Sequence, residues 1–150
     1  MSHNNQCYEQ WPSPEVAQAL YANKMMKRFE TLRIKLETFF REQNIEFEFG
    51  ATVHLIQVHY FLPGNNLVIE LDSQYFFDEF DSNLINTWAT FKLNKCSMVR
   101  IYEDDILHDR FDWKNRLIRF FKKIKESDEP ILYLPNRPDK EFIRNLFLPF

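Results

Sequence analysis

A chain of 150 residues with a formal net charge of −3, 45% hydrophobic residues and 17% aromatics, sixteen of them Phe, has enough apolar side chain for one hydrophobic core and too little length for two comfortable domains. Its two glycines, Gly50 and Gly64, exclude a glycine-rich phosphate loop, and its two cysteines, Cys7 and Cys96, lack neighbours at ligand spacing, which speaks against a zinc site or disulfide framework and for a reducing, intracellular compartment. The acidic balance excludes a surface coated with cations but not a local basic patch, and no apolar run reaches the ~20 residues of a membrane span, so a soluble protein without a membrane partner is expected.

In chain order, residues 1–12 are polar and aperiodic and are expected to be a flexible segment ahead of one domain over 13–150. Ser13 and Pro14 provide an N-cap and a first helical position, with Glu15 near the positive end of the helix dipole. The helix they open carries Phe29, Leu32, Leu36, Phe39 and Phe40 on one face, with Lys27, Arg28, Glu30 and Glu37 elsewhere. From Ile45 the period becomes two: Ile45, Phe47 and Phe49 alternate with Glu46 and Glu48, a half-solvated strand ending at Gly50. Val53 to Leu62 reads as a second strand, Pro63 to Asn66 as a turn, and Leu67 to Asp72 as a third strand rich in β-branched residues, together a hairpin.

A second helix is expected from about Phe77 to Lys95, with Phe80, Leu84, Trp88 and Phe91 at helical spacing, and Ser97 to Tyr102 as a fourth strand. After the acidic stretch EDDILHD, Asp112 caps a third helix whose apolar stripe is Trp113, Leu117, Phe120, Phe121 and Ile124. Lys114, Arg116, Arg119, Lys122, Lys123 and Lys125 make it strongly positive. Those cations suit phosphate contacts, or simply form a solvated face over an aromatic stripe. A short apolar stretch ILYLP and a helix opening at Pro138 close the chain, and the apolar end RNLFLPF suits either a core plug or contact with a second subunit or protein partner.

The hairpin carries the chemistry. Pairing Leu62 with Leu67 across the four-residue loop sets His59 opposite Glu70 and Gln57 opposite Asp72 on one face, while Val58, Tyr60, Ile69 and Leu71 suit burial. Two carboxylates at i and i+2 on a strand point the same way with Cβ atoms about 7 Å apart, which suits a hard divalent cation. The plainer alternative is a solvated strand face in which His59 forms a cross-strand ion pair with Glu70.

The text VHYFLPGNNLVIELDSQ followed some thirty residues on by MVRIYEDDIL resembles the restriction-endonuclease-like (PD-(D/E)XK) superfamily, in its very-short-patch-repair-like branch, over about Lys27 to Ile124. The resemblance implies an α/β domain with an αβββαβ core, a mixed central sheet flanked by helices, and further helices at the C-terminus. It sets Glu70 on the family's metal-binding Glu, Asp72 on the Asp two residues later and Arg100 on the Arg of the fourth strand. His59 stands where the family has its metal-binding Asp, Ser73 replaces the usual Gly, and Tyr75 or Phe76 occupies the region of the usual His. The implied activity is metal-dependent hydrolysis of nucleic-acid phosphodiesters, DNA in preference to RNA, with magnesium or manganese held by Glu70, Asp72 and His59. Asp72 and His59 would serve as ligand or base and Gln57 would orient the water, while Arg100, Lys114, Arg116, Arg119, Lys122 and Lys123 would meet the nucleic acid. The alternative is a catalytically degenerate module on the same fold that binds nucleic acid or a protein partner without cleavage.

Overall fold

The structure, a computed structural model, describes residues 12–72 and 82–133. By contacts the chain divides into two units, one ending at Ile34 and the other starting at Lys35. The expected helix at Pro138 and the RNLFLPF end lie outside the described residues.

The first helix, α1 (Pro14–Glu42), opens as its sequence implies: Val16 N–H donates to Ser13 Oγ at 3.3 Å and Ala17 N–H to the Ser13 carbonyl at 2.8 Å. Leu32, Leu36, Phe39 and Phe40 are at most 1% exposed. Glu37, expected off the buried face, is buried too, because the Tyr60 hydroxyl donates to its Oε2 at 2.7 Å and Arg41 lies 3.6 Å from its Oε1. The helix closes on Asn44 in the left-handed region (φ 55°), with Ile45 N–H donating to the Phe40 carbonyl and Asn44 N–H to that of Arg41. This is the closure that glycine usually provides.

Among the described residues of the second unit, seven strands follow: β1 (Glu48–Phe49), β2 (Thr52–Val53), β3 (Ile56–Gln57), β4 (Tyr60–Leu62), β5 (Leu67–Asp72), β6 (Ser97–Tyr102) and β7 (Leu132–Tyr133). Between them run α2 (Ser82–Leu93), the short α3 (Glu103–Leu107) and α4 (Trp113–Glu126). The main sheet has the order β1-β4-β5-β6-β7, antiparallel as far as β5 and parallel from there to β7. The α/β class and the mixed, helix-flanked sheet match expectation. So does the register of the central hairpin, which pairs Leu62 with Leu67 across Pro63–Asn66 and Tyr60 with Ile69. The start expected for α2, at Phe77, lies outside the described residues, and α3 forms within what reads as an acidic connector.

One expected strand is two. His54 (φ 50°) and Leu55 (φ 71°) both sit in the left-handed region, so the chain turns back there, and Gln57 pairs with Thr52 in a separate ribbon. Positive φ at both central residues is the requirement of a tight hairpin turn, normally signalled by Asn-Gly. Gln57 therefore does not lie opposite Asp72.

Strand alternation sorts the core. Even-numbered Val68, Met98 and Leu132 cluster with Val53, Val58 and the α2 residues Leu84, Trp88 and Phe91 on one face. On the odd-numbered face, Phe40 meets Tyr60 with ring centroids 5.5 Å apart, Phe39 meets Trp113 and Phe121 of α4, and Phe120 stacks on Tyr133 at 4.8 Å.

Candidate functional site

The hairpin edge is built by the departure of one strand from another. The β4–β5 ladder stops at Tyr60 and Ile69, because the chain before Tyr60 turns to pair with 50–53: Gly50 N–H donates to the His59 carbonyl and Val58 N–H to that of Ala51. Side chains take over where the ladder ends. Glu70 Oε1 accepts the His59 N–H at 2.9 Å, and His59 Nδ1 accepts the Leu71 N–H at 3.1 Å. His59 Nδ1 also lies 3.1 Å from Glu70 Oε2. Neutral imidazole thus accepts from Leu71, whereas protonated imidazole donates to Glu70. The hydrogen bond to Glu70 raises the His59 pKa; burial opposes the rise, and the charges of Glu70, Glu103 and Asp72 add to it.

Asp72 faces the same way as Glu70 but toward the other neighbouring strand. Arg100 Nη2 donates to its Oδ1 at 2.5 Å and Arg100 Nε to its Oδ2 at 3.2 Å, a bidentate pair whose side chains are 20% and 16% exposed. The structure thus brings His59, Glu70, Asp72 and Arg100 to one edge and leaves Gln57 on the outer ribbon. Glu103 joins them at the β6–α3 junction, 9% exposed and near enough to act on His59. Its only trace in the sequence is the acidic run directly after the strand.

Glu70, Asp72 and His59 are the side chains that would hold a divalent metal, and in this structure each is engaged with a protein partner. Each Glu70 oxygen faces His59, and both Asp72 oxygens accept from Arg100. Among the described residues, no group of three or more His, Cys, Asp or Glu is placed to hold a metal ion.

The cations of α4 lie elsewhere. Tyr133 is the register partner of Val99, so it and the Phe120 stacked on it belong to the odd-numbered face; Glu70, Asp72 and Arg100 belong to the even-numbered one. The predicted basic set divides between two recesses beside the helix. Arg116, Arg119 and Lys123 line one of about 250 Å³ with Phe120 and Tyr133. Lys122 joins Lys125, Ile118, Phe121 and Glu46 around one of about 540 Å³ that Gln43, Asn44 and Asn65 make polar. Lys114 stands over the Trp113 ring at the start of the helix. Asp112 precedes α4 as expected but caps nothing with its side chain; it is left-handed (φ 54°) and accepts from Asn115 Nδ2 at 2.9 Å.

The Cys96 thiol is fully buried and pushed up to about 11 by that burial, which makes it inert. No helix among the described residues is long and apolar enough to cross a membrane.

No protein-family model matches the chain, and no curated protein matches it. Among solved structures it is similar to the catalytic domain of the homing endonuclease I-Bth0305I, at 18% identity and a TM-score of 0.47, over 62% of this chain and 95% of that one.

Proposed function

We propose that this chain is a nucleic-acid-binding module on a nuclease-like scaffold that has lost metal-dependent cleavage. The observation that carries the reading is the separation of its two polar regions: carboxylates committed to His59 and Arg100 on one face of the sheet, phosphate-seeking cations on the other. Hydrolysis of a phosphodiester requires the groups that activate water and the charges that neutralise the attacked phosphate to converge on one phosphorus. Here a strand held on α4 lies across the sheet from Glu70 and Asp72. The departures from the family pattern agree, since His59 replaces a principal carboxylate ligand and imidazole is a poor partner for magnesium.

Binding then rests on the six Lys and Arg residues of α4 against its single Glu126, a local positive charge on an acidic chain. Arg119, Lys122 and Lys123 are exposed, and among the described residues none of them takes part in an ion pair. The test is fluorescence anisotropy of labelled DNA and RNA oligonucleotides over a salt series, beside cleavage assays with magnesium and manganese. Salt-dependent binding with intact oligonucleotide is expected. Metal-dependent cleavage that disappears in Glu70→Ala overturns the reading, as does the absence of any binding.

A further inference from the structure

The larger recess beside α4 is walled by segments whose backbones are fixed. In the chain leaving α1, residues 43–46, Asn44 N–H donates to the Arg41 carbonyl and Ile45 N–H to that of Phe40. The turn after β4, Pro63–Asn65, is closed by Asn66 N–H donating to the Pro63 carbonyl at 3.2 Å. The remaining wall is one flank of α4, where Ile118, Lys122 and Lys125 follow one another at i, i+4 and i+7. Walls held by main-chain bonds make a pocket that exists before any ligand arrives, which lowers the cost of binding. Its volume, about 540 Å³, is that of a small-molecule site. It opens to solvent, since Gln43, Asn44, Glu46, Gly64, Lys122 and Lys125 are exposed, while Phe121 is buried and Ile45 and Asn65 are half-buried.

The charges in this recess are divided. Lys122 and Lys125 stand on the α4 wall and Glu46 on the α1 side, and among the described residues none of these side chains takes part in an ion pair. Cations and a carboxylate that line one cavity without neutralising each other suit a ligand that reaches both: an anion for the lysines, hydroxyl donors for the carboxylate. A phosphate meets the first demand and the neighbouring hydroxyls of a ribose meet the second. The side-chain amides of Gln43, Asn44 and Asn65 supply donors and acceptors for the edge of a base, and Ile45 and Ile118 supply apolar contact.

We propose that this recess binds a phosphorylated ribose unit, with the phosphate on Lys122 and Lys125 and the hydroxyls on Glu46. The unit belongs either to a free nucleoside monophosphate or to the phosphorylated end of an RNA strand. The site goes beyond the binding of a strand along α4 and does not depend on it.

The experiment is isothermal titration calorimetry of the full chain with adenosine monophosphate, its 2′,3′-dideoxy analogue, adenosine, inorganic phosphate and a 5′-phosphorylated RNA trinucleotide. The monophosphate, the trinucleotide or both are expected to bind with a Kd below about 1 mM, and the tighter of the two identifies the source. Adenosine and inorganic phosphate are each expected to bind at least about tenfold more weakly, because each meets only one of the two charged walls. Lys122→Gln with Lys125→Gln is expected to cost at least about tenfold in the monophosphate. Glu46→Ala separates the carboxylate from charge in general: it should leave inorganic phosphate bound at least as well, since a repulsion is gone, and should abolish the preference for the monophosphate over its dideoxy analogue. Arg119→Gln with Lys123→Gln, which line the smaller recess, should change monophosphate affinity by less than about twofold. Circular dichroism confirms that each variant is folded. The proposal is overturned if neither the monophosphate nor the trinucleotide binds, if adenosine binds as tightly as its monophosphate, or if the Arg119 and Lys123 variant loses as much as the Lys122 and Lys125 variant. Oligonucleotide binding measured by anisotropy survives each of those results, so the two readings fail separately.

Discussion

The hairpin edge and the α4 face are the two polar regions of this protein, and they differ in what their charges do. At the edge the charges are paired within hydrogen-bond distance, Glu70 with His59 and Asp72 with Arg100. On α4, Arg119, Lys122 and Lys123 project to solvent without an ion pair among the described residues. A carboxylate beside a cation on a partly buried strand stabilises and orients; a cation left in water attracts whatever anion arrives. On the function proposed above, the region that looks catalytic in the sequence serves as structure, and the region that looks like ordinary helix surface is the one that binds.

The largest effect expected from that contrast is charge reversal on α4. Arg119→Glu with Lys123→Glu should weaken oligonucleotide binding by more than about 100-fold, because two attractions become repulsions, and should leave chemical denaturation midpoints nearly unchanged because both side chains are exposed. The converse holds at the edge. Arg100→Leu leaves Asp72 largely buried without its bidentate partner and should cost about 2–4 kcal/mol in urea unfolding while changing oligonucleotide affinity less than about twofold. Adding Asp72→Leu should recover most of that loss, since removing both charges restores a neutral face.

A smaller effect is expected at Glu70. Glu70→Gln should cost about 1 kcal/mol through a weakened acceptor for the His59 N–H. It should also change the pH dependence. Because the folded protein holds the His59 pKa above the ordinary value near 6.5, the stabilisation from its protonated form is complete below that pH and is lost as pH rises through the raised value. Thermal melts between pH 5 and 9 should show that decline in the unaltered protein and a flatter profile in Glu70→Gln. The smallest effect is expected from metal. A ligand at 100 times its dissociation constant adds about 2.7 kcal/mol to stability; millimolar magnesium or manganese should produce no shift in melting, and a clear upward shift lost in Glu70→Ala would break the comparison at its root.

The elements whose cause is local were legible in the sequence. Ser13-Pro14 opens α1, the β-branched run makes β5, SMVRIY makes β6, and the apolar stripe of α4 buries Trp113, Leu117, Phe120 and Phe121. The places where the chain turns were harder to read, because a sequence with two glycines uses other residues for left-handed positions. Asn44, Lys95 and Asp109 close α1, α2 and α3, and His54-Leu55 makes the turn that splits one expected strand into two. That turn also moved Gln57 out of the site.

The sequence by itself determined the α/β class, the register of the β4–β5 hairpin and the meeting of His59 with Glu70, because strand period and a four-residue loop leave little choice of pairing. Tertiary structure alone decided that Arg100 reaches across to Asp72, that Glu103 joins the edge, and that α4 packs on the opposite face with its cations around Tyr133. Those outcomes depend on which strands become neighbours and on which side of the sheet each connection crosses, and side chains far apart along the chain meet only after both are settled.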